Sequence, residues 1–132
     1  MTVFADSFAL IAWLNPRDDA HERVVAYLDG FTGRLLTTEW VLMELADALS
    51  APEARGAAAA FLRAVRRDAS FDVVGYEPAV YHAGFDLFAN RADKAWSLTD
   101  CISFSVMTER GLSDALTADR HFEQAGFRAV FI

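Results

Sequence analysis

Asp6, Glu44, Asp100 and Asp119 are the residues whose type and placing could do chemistry in this chain. Asp6 and Asp119 come just after short apolar runs, at 3–5 and 114–117, that read as β-strands. Glu44 and Asp100 fall on the apolar faces of predicted helices, where an acid is out of place. Ionised carboxylates drawn together out of water repel one another and lose hydration, so such a cluster needs a compensating cation. For an all-oxygen donor set the simplest cation is a divalent metal. The chemistry indicated is metal-assisted work on a phosphodiester bond.

The elements that must position these acids follow from periodicity and punctuation. Strands are expected at 3–5, 34–37, 71–74, 114–117 and 128–131. Helices are expected at 7–14, 20–28, from Thr38 to about 50, from Pro52 to about 67, and at 77–88, 97–110 and 121–125. The pair Asn15-Pro16 breaks the first helix, and Gly30 and Gly111 close two others. A polar loop is expected at 90–96. Strands alternating with helices imply an α/β layer fold with a largely parallel sheet. In such sheets sites lie beyond the carboxyl ends of the strands. Asp6 and Asp119 fall at that edge, whereas Asp114 precedes its strand and falls at the opposite one.

Each acid also has a second reading. Asp6 and Asp119 stand where helix caps are expected. Ser97-Leu98-Thr99-Asp100 fits a capping box. Glu44 lies beside the helical face formed by Val41, Leu45, Ala48 and Leu49, and could sit on its solvated edge. Capping explains individual acids but not why four of them converge on one edge. His21 and His82 read as surface or satisfied histidines. His121 follows Asp119 closely, yet a lone histidine makes no zinc signature. Cys101 reads as a small buried residue. No phosphate-binding or dinucleotide glycine motif occurs.

At 132 residues the chain is expected to form a single domain, 1–132. Its 54% hydrophobic content and eleven Phe argue for a dense core and against disorder. One cysteine excludes an internal disulfide and any cysteine-based metal cluster. No export signal is seen, and the apolar run 8–14 is too short to span a bilayer, so a cytoplasmic protein is expected. The net charge of −7 opposes non-specific nucleic-acid binding. Metal would neutralise several of the acids, however, and the basic set is eleven Arg against one Lys, which favours bidentate phosphate contacts. Arg91, Lys94 and Arg120 are phosphate-contact candidates by position.

Four segments resemble the PIN-domain ribonucleases, and among them the VapC-like toxins of toxin–antitoxin pairs. They are Phe4-Ala5-Asp6-Ser7, the stretch Thr38 to Leu45 with its Glu44, Ser97-Leu98-Thr99-Asp100 with Cys101 to Phe104, and Ala115-Leu116-Thr117-Ala118-Asp119-Arg120-His121-Phe122. The resemblance runs from about Val3 to Phe131. It implies a three-layer α/β/α sandwich with a central, mostly parallel sheet. It implies a Mg²⁺- or Mn²⁺-dependent endoribonuclease in which Asp6, Glu44 and Asp100 match the three main acids and Asp119 a fourth. Ser7 and Thr117 match polar positions near the site, and Asp93 is a weaker acidic candidate. The implied partners are an RNA substrate, a small antitoxin and a second copy of the chain, with no membrane. Helix residues Phe8, Leu10, Ile11, Trp13 and Leu14, apolar around most of one helix, are expected to exceed what one core covers and so to mark a partner surface.

Two other readings compete. One is a catalytically weak PIN-fold binding module acting through an antitoxin or self-association; loss of a main acid would favour it, and all are present. The other is a phosphoacceptor receiver domain. That domain needs a lysine after a late strand, and the only lysine, Lys94, falls in a loop before a helix.

Overall fold

A computed structural model describes residues 1–132. Five strands form one sheet in the order β3-β2-β1-β4-β5, and every neighbouring pair is parallel. They are β1 Thr2–Ala5, β2 Arg34–Thr38, β3 Phe71–Val74, β4 Asp114–Leu116 and β5 Arg128–Ala129. The helices are α1 Ser7–Leu14, α2 His21–Asp29, α3 Glu39–Ala48, α4 Pro52–Ala64, α5 Pro78–Asn90, α6 Leu98–Arg110 and α7 Arg120–Gln124. From β1 the chain winds outward through β2 to β3, then returns to the other side of β1 for β4 and β5. Parallel connections that reverse direction in this way put helices on both faces of the sheet. This is the expected α/β/α sandwich, with a sheet that is wholly parallel.

Strands covered on both faces must be apolar throughout. Val3, Phe4, Ala5, Ala115 and Leu116 are accordingly fully buried. The two threonines that close β2 are buried as well, and both are bonded. Thr37 Oγ1 donates to the Ala5 carbonyl at 2.9 Å, and Thr38 Oγ1 caps α3 by accepting from the Val41 amide at 3.1 Å. Helix α6 starts at a complete capping box between Ser97 and Asp100. It ends at Gly111, whose φ of 68° is the left-handed closure that glycine adopts without a Cβ clash.

The structure trims several expected ends. Helix α4 stops at Ala64 and tightens into a 3-10 turn at Val65–Arg67. Helix α3 stops at Ala48, with Leu49 as its cap, and α5 runs on to Asn90, so the loop begins at Arg91. Strand β4 ends at Leu116 because the Thr117 amide turns back to the Ala115 carbonyl at 3.0 Å. The last strand is two residues long, but Val130 and Phe131 still donate to the carbonyls of Ala115 and Thr117. No helix is long and apolar enough to cross a membrane.

The expectation for the α1 residues is corrected. Leu10 is buried, and Phe8, Ile11, Trp13 and Leu14 pack against the core. Phe8 lies 6.1 Å from the ring of Phe131, and Trp13 meets Phe61 edge-on at 5.9 Å. Helices α2 and α4 and the C-terminal segment supply the cover that helical periodicity alone does not reveal. The exposed large apolar side chains lie elsewhere, chiefly Met43, Tyr76, Phe85 and Phe88.

Helices α5 and α6 touch backbone to backbone at Gly84. A Cβ there would stand 2.7 Å from Ile102 Cα and 2.9 Å from its nitrogen. Backbone cannot yield as a side chain can, so α5 and α6 would have to separate. Gly84→Ala is expected to destabilise the fold by about 2–3 kcal/mol despite alanine's better helix propensity. Urea unfolding of the variant measures this; unchanged or raised stability would show that the helices have room.

Candidate active site

The direction of winding reverses at β1, which is flanked by β2 and β4. Loops leaving β1 and β4 therefore diverge and open a crevice at the carboxyl edge. Asp6 leaves β1 into this crevice, and Thr117 to Asp119 leave β4 into it. Glu44 reaches it from α3 and Asp100 from the first turn of α6. All four sequence-nominated acids line one open pocket of about 410 Å³, together with Ser7, Ser97 and His121.

Each acid is fastened through one oxygen. Asp6 occupies the cap position of α1, but its side chain caps nothing. Its Oδ2 instead accepts a 2.8 Å bond from Thr117 Oγ1, which in turn accepts from the Asp119 amide at 3.1 Å. Ser7 Oγ donates to Glu44 Oε1. Asp100 Oδ2 accepts from the Ser97 amide at 3.4 Å in the capping box, and Asp119 Oδ1 caps α7 through the His121 amide at 2.8 Å. Capping thus fails as an account of Asp6 and holds for Asp100 and Asp119, where it uses only one oxygen. Glu44 Oε2, Asp100 Oδ1 and Asp119 Oδ2 meet no protein donor.

The electrostatics follow from burial and crowding. Asp6 is 5% exposed. Loss of hydration, reinforced by the charges of Asp100 and Glu44, pushes its pKa up to about 7 against the lowering effect of the Thr117 bond. Asp100 is also raised, by burial first and then by the charge of Asp119. These acids resist ionising unless positive charge is supplied, and their unbonded oxygens are hard donors of the kind Mg²⁺ and Mn²⁺ take. Ligand atoms of Asp100, Asp119 and His121 all lie within 4.8 Å of one another. The donor set fits a divalent ion.

His121 is the site residue that sequence reasoning passed over. Its Nδ1 lies 3.3 Å from Asp100 Oδ2 and 3.5 Å from Asp119 Oδ1. The available signal was its place two residues after a strand-end aspartate. Other candidates fall away from the pocket. Asp114 pairs with Arg128 at the far edge of the sheet. His21 Nδ1 is satisfied by the Ala12 carbonyl at 2.7 Å, and His82 is exposed beside Tyr81. Cys101 is buried, and burial pushes its thiol up, away from nucleophilic use. Arg91 and Lys94 face Asp93, and Arg120 faces Glu123.

A parallel sheet with this order and an acid cluster at its switch point define a class, and the chain belongs to the PIN domain family, whose model spans residues 3–128. Among solved structures it is similar to VapC20 of Mycobacterium tuberculosis, a toxin that cleaves the sarcin–ricin loop, with TM-score 0.88 and 23% identity over 97% of this chain and 98% of that one. It is also similar to FitAcB from Neisseria gonorrhoeae, with TM-score 0.66 and 18% identity over 98% and 95% of the two chains. A third is VapBC2 from Rickettsia felis bound to a promoter DNA fragment, with TM-score 0.65 and 12% identity over 95% and 93%. At these identities the likeness is one of fold. Among curated proteins, none matches this sequence.

The raised Asp6 pKa fixes a sign for stability against pH. The unfolded chain loses this proton near 3.8 and the folded chain near 7, so between them the native state holds more protons than the unfolded state. Metal-free protein should therefore lose stability as pH rises from about 4 to 7, by up to about 4 kcal/mol from this group. Asp6→Asn should lack that slope and be the more stable form at pH 7.5. Urea unfolding with chelator across the range checks this; equal slopes for the two proteins would show that Asp6 ionises normally.

Proposed function

We propose that this chain is a divalent-metal-dependent endoribonuclease that serves as the toxin of a toxin–antitoxin pair. The observation that carries the reading is the convergence of Asp6, Glu44, Asp100 and Asp119 on one open pocket, each tethered through one oxygen. Membership of the PIN family and the RNA cleavage attributed to VapC20 support RNA as the substrate class. An RNA-cleaving enzyme of this kind works in the cytoplasm, where its substrate is. The alternative of a fold that only binds would be favoured by loss of a main acid, and none is lost.

Asp6 and Asp100 are the principal ligands in this reading, being the two most buried acids. Glu44, held by Ser7, joins them or orients the attacking water, and Asp119 closes the rim. When bound, a divalent ion makes a water more acidic and stabilises charge on the scissile phosphate. The Thr117 hydroxyl fixes Asp6 through Oδ2 and so directs the rest of the carboxylate toward the pocket. A groove that shares Phe8 and Ala118 with the acid pocket is lined by Arg17 and Arg23 and by the carboxylates of Asp18 and Asp19. Arg23 is bonded to the Phe131 carbonyl, and the Arg17 guanidinium has no acidic partner. A backbone leaving the acids would meet these guanidiniums as bidentate donors, in a groove whose two arginines are matched by two aspartates.

The deciding experiment incubates the protein with a sarcin–ricin loop oligonucleotide and with total RNA, then maps the ends produced. Cleavage should require Mg²⁺ or Mn²⁺, stop with chelator, and fall at least about a hundredfold in Asp100→Asn, whose side-chain oxygen can still accept the Ser97 amide in the capping box. Full activity after exhaustive chelation, or in the variant, would sink the reading.

The partners proposed are a second copy and a small antitoxin. Met43, Tyr76, Phe85 and Phe88 leave apolar area uncovered. The likeness to VapC-like toxins implies a small antitoxin as partner, and the similar VapBC2 of Rickettsia felis is a structure bound to a DNA fragment from their promoter. An antitoxin arginine laid into the acid pocket would compete with metal for the same charge. Light scattering should give twice the 14.6 kDa chain mass. A small protein encoded beside this gene should co-purify and suppress cleavage. A monomer at micromolar concentration would remove the dimer, and an inert neighbour would remove the antitoxin while leaving the nuclease standing.

A further inference from the structure

We propose that His121 is a nitrogen ligand of the acid-pocket metal, so that the centre is a mixed nitrogen–oxygen site selecting a transition-metal ion such as Mn²⁺ over Mg²⁺. The inference rests on reading that pocket as a metal centre, and it assigns the centre's donor set.

The first ground is distance. His121 Nδ1 stands 3.3 Å from Asp100 Oδ2 and 3.5 Å from Asp119 Oδ1. The approach to Asp100 is a long hydrogen bond whose direction the tautomer decides, and both distances lie beyond the usual N–H···O range of about 2.7–3.2 Å. Two ligands bound to one ion at about 2.1 Å lie about 3.0 Å apart on an octahedral edge and about 3.4 Å apart on a tetrahedral one. Both of these oxygens also accept a backbone amide, and each keeps a second lone pair for an ion, so the imidazole nitrogen is spaced from both carboxylates as a fellow ligand would be. The common span of the three ligand atoms, 4.8 Å at most, is close to the diameter of such a sphere, about 4.2–4.4 Å.

The second ground is how the imidazole is held. Asp119 caps α7 by accepting the backbone N–H of His121 itself. The cap therefore fixes the histidine backbone against one of the acids it would join in ligation. The ring is not in the apolar core, since about a third of its surface is exposed, and it has no polar partner other than the two carboxylates. Asp100 Oδ1 and Asp119 Oδ2 remain unbonded beside it.

The third ground is donor chemistry. Mg²⁺ keeps its waters and takes oxygen donors, so an imidazole adds little to its binding. Transition-metal ions accept imidazole nitrogen readily, and one such donor among carboxylates shifts selectivity toward them. Ligation through Nδ1 uses the neutral tautomer with its proton on Nε2.

The competing role is that of a positioning residue, with His121 donating to Asp100 and never touching the ion. Electron spin-echo spectroscopy of Mn²⁺ bound to the full chain separates the two. Wild-type protein should show ¹⁴N modulation that changes to the ¹⁵N pattern when only histidine is ¹⁵N-labelled, a measurement that needs no variant. His121→Gln should lose it, His82→Gln should keep it, and Mn²⁺ affinity in His121→Gln should fall about tenfold or more. Mg²⁺ affinity, read by competition, should change less than twofold. Mn²⁺ bound without histidine nitrogen coupling, or equal losses of Mn²⁺ and Mg²⁺ in His121→Gln, would overturn the assignment and leave the metal centre intact. Failure of both ions to bind, or binding unchanged in Asp100→Asn, would remove the metal centre itself and the assignment with it.

Discussion

Withdrawn negative charge is the constraint on which this molecule turns. Asp6 and Asp100 are nearly out of water, close to each other and to Glu44 and Asp119. Hydration lost at a carboxylate raises its pKa, and each neighbouring carboxylate raises it further. A protein that sought only stability would replace such residues with apolar ones of similar size. What the arrangement provides is a strong demand for a cation at one point in space. The surrounding hydroxyls relieve that demand only in part: the Thr117 bond lowers the Asp6 pKa and Ser7 bonds one oxygen of Glu44, but neither supplies positive charge.

The fold supplies that point through its order of strands. Because β1 is central and is joined outward to β2, while β4 arrives from the other side, two loops part at the same edge. Asp6 and Thr117 stand on either side of the parting, and their bond ties the two loops across it. Helices α3 and α6 then bring Glu44 and Asp100 from segments distant in sequence. The close contact of α5 with α6 at Gly84 belongs to the same problem. It seats α6 at Ile102, two residues beyond Asp100, so the helix that delivers a buried acid is set by backbone contact and not by adjustable side chains.

Much of this was legible in the sequence because the signals were local. The apolar runs before Asp6 and Asp119 announced strands, Pro52, Gly111 and the Ser97 box announced helix ends, and βα alternation announced the parallel sheet. The acids were legible for a related reason: a carboxylate on an apolar face, or at a strand end, breaks a pattern. Features set by packing at a distance were not legible. The apolar circumference of α1 looked like surplus because nothing local says that Phe131 and Phe61 return to cover Phe8 and Trp13. His121 looked solitary because its companions are Asp100, twenty-one residues earlier, and a cap whose geometry exists only in the folded chain.

Fold and site share the same atoms here, and the division runs within single carboxylates. Asp100 completes a capping box with one oxygen and leaves the other to the pocket; Asp119 divides in the same way at the start of α7. The cap is worth about 1 kcal/mol, far too little to justify a buried charge on its own. Its value lies in orientation. A side chain that already holds its helix start cannot swing away when the pocket is empty of positive charge, so the unbonded oxygen keeps its direction. Asp6 achieves the same end differently, declining the cap of α1 for the hydroxyl of Thr117 on the neighbouring strand's loop. A helix cap fixes a carboxylate to its own element, while this bond fixes it to another, and it therefore sets the spacing between the two halves of the site.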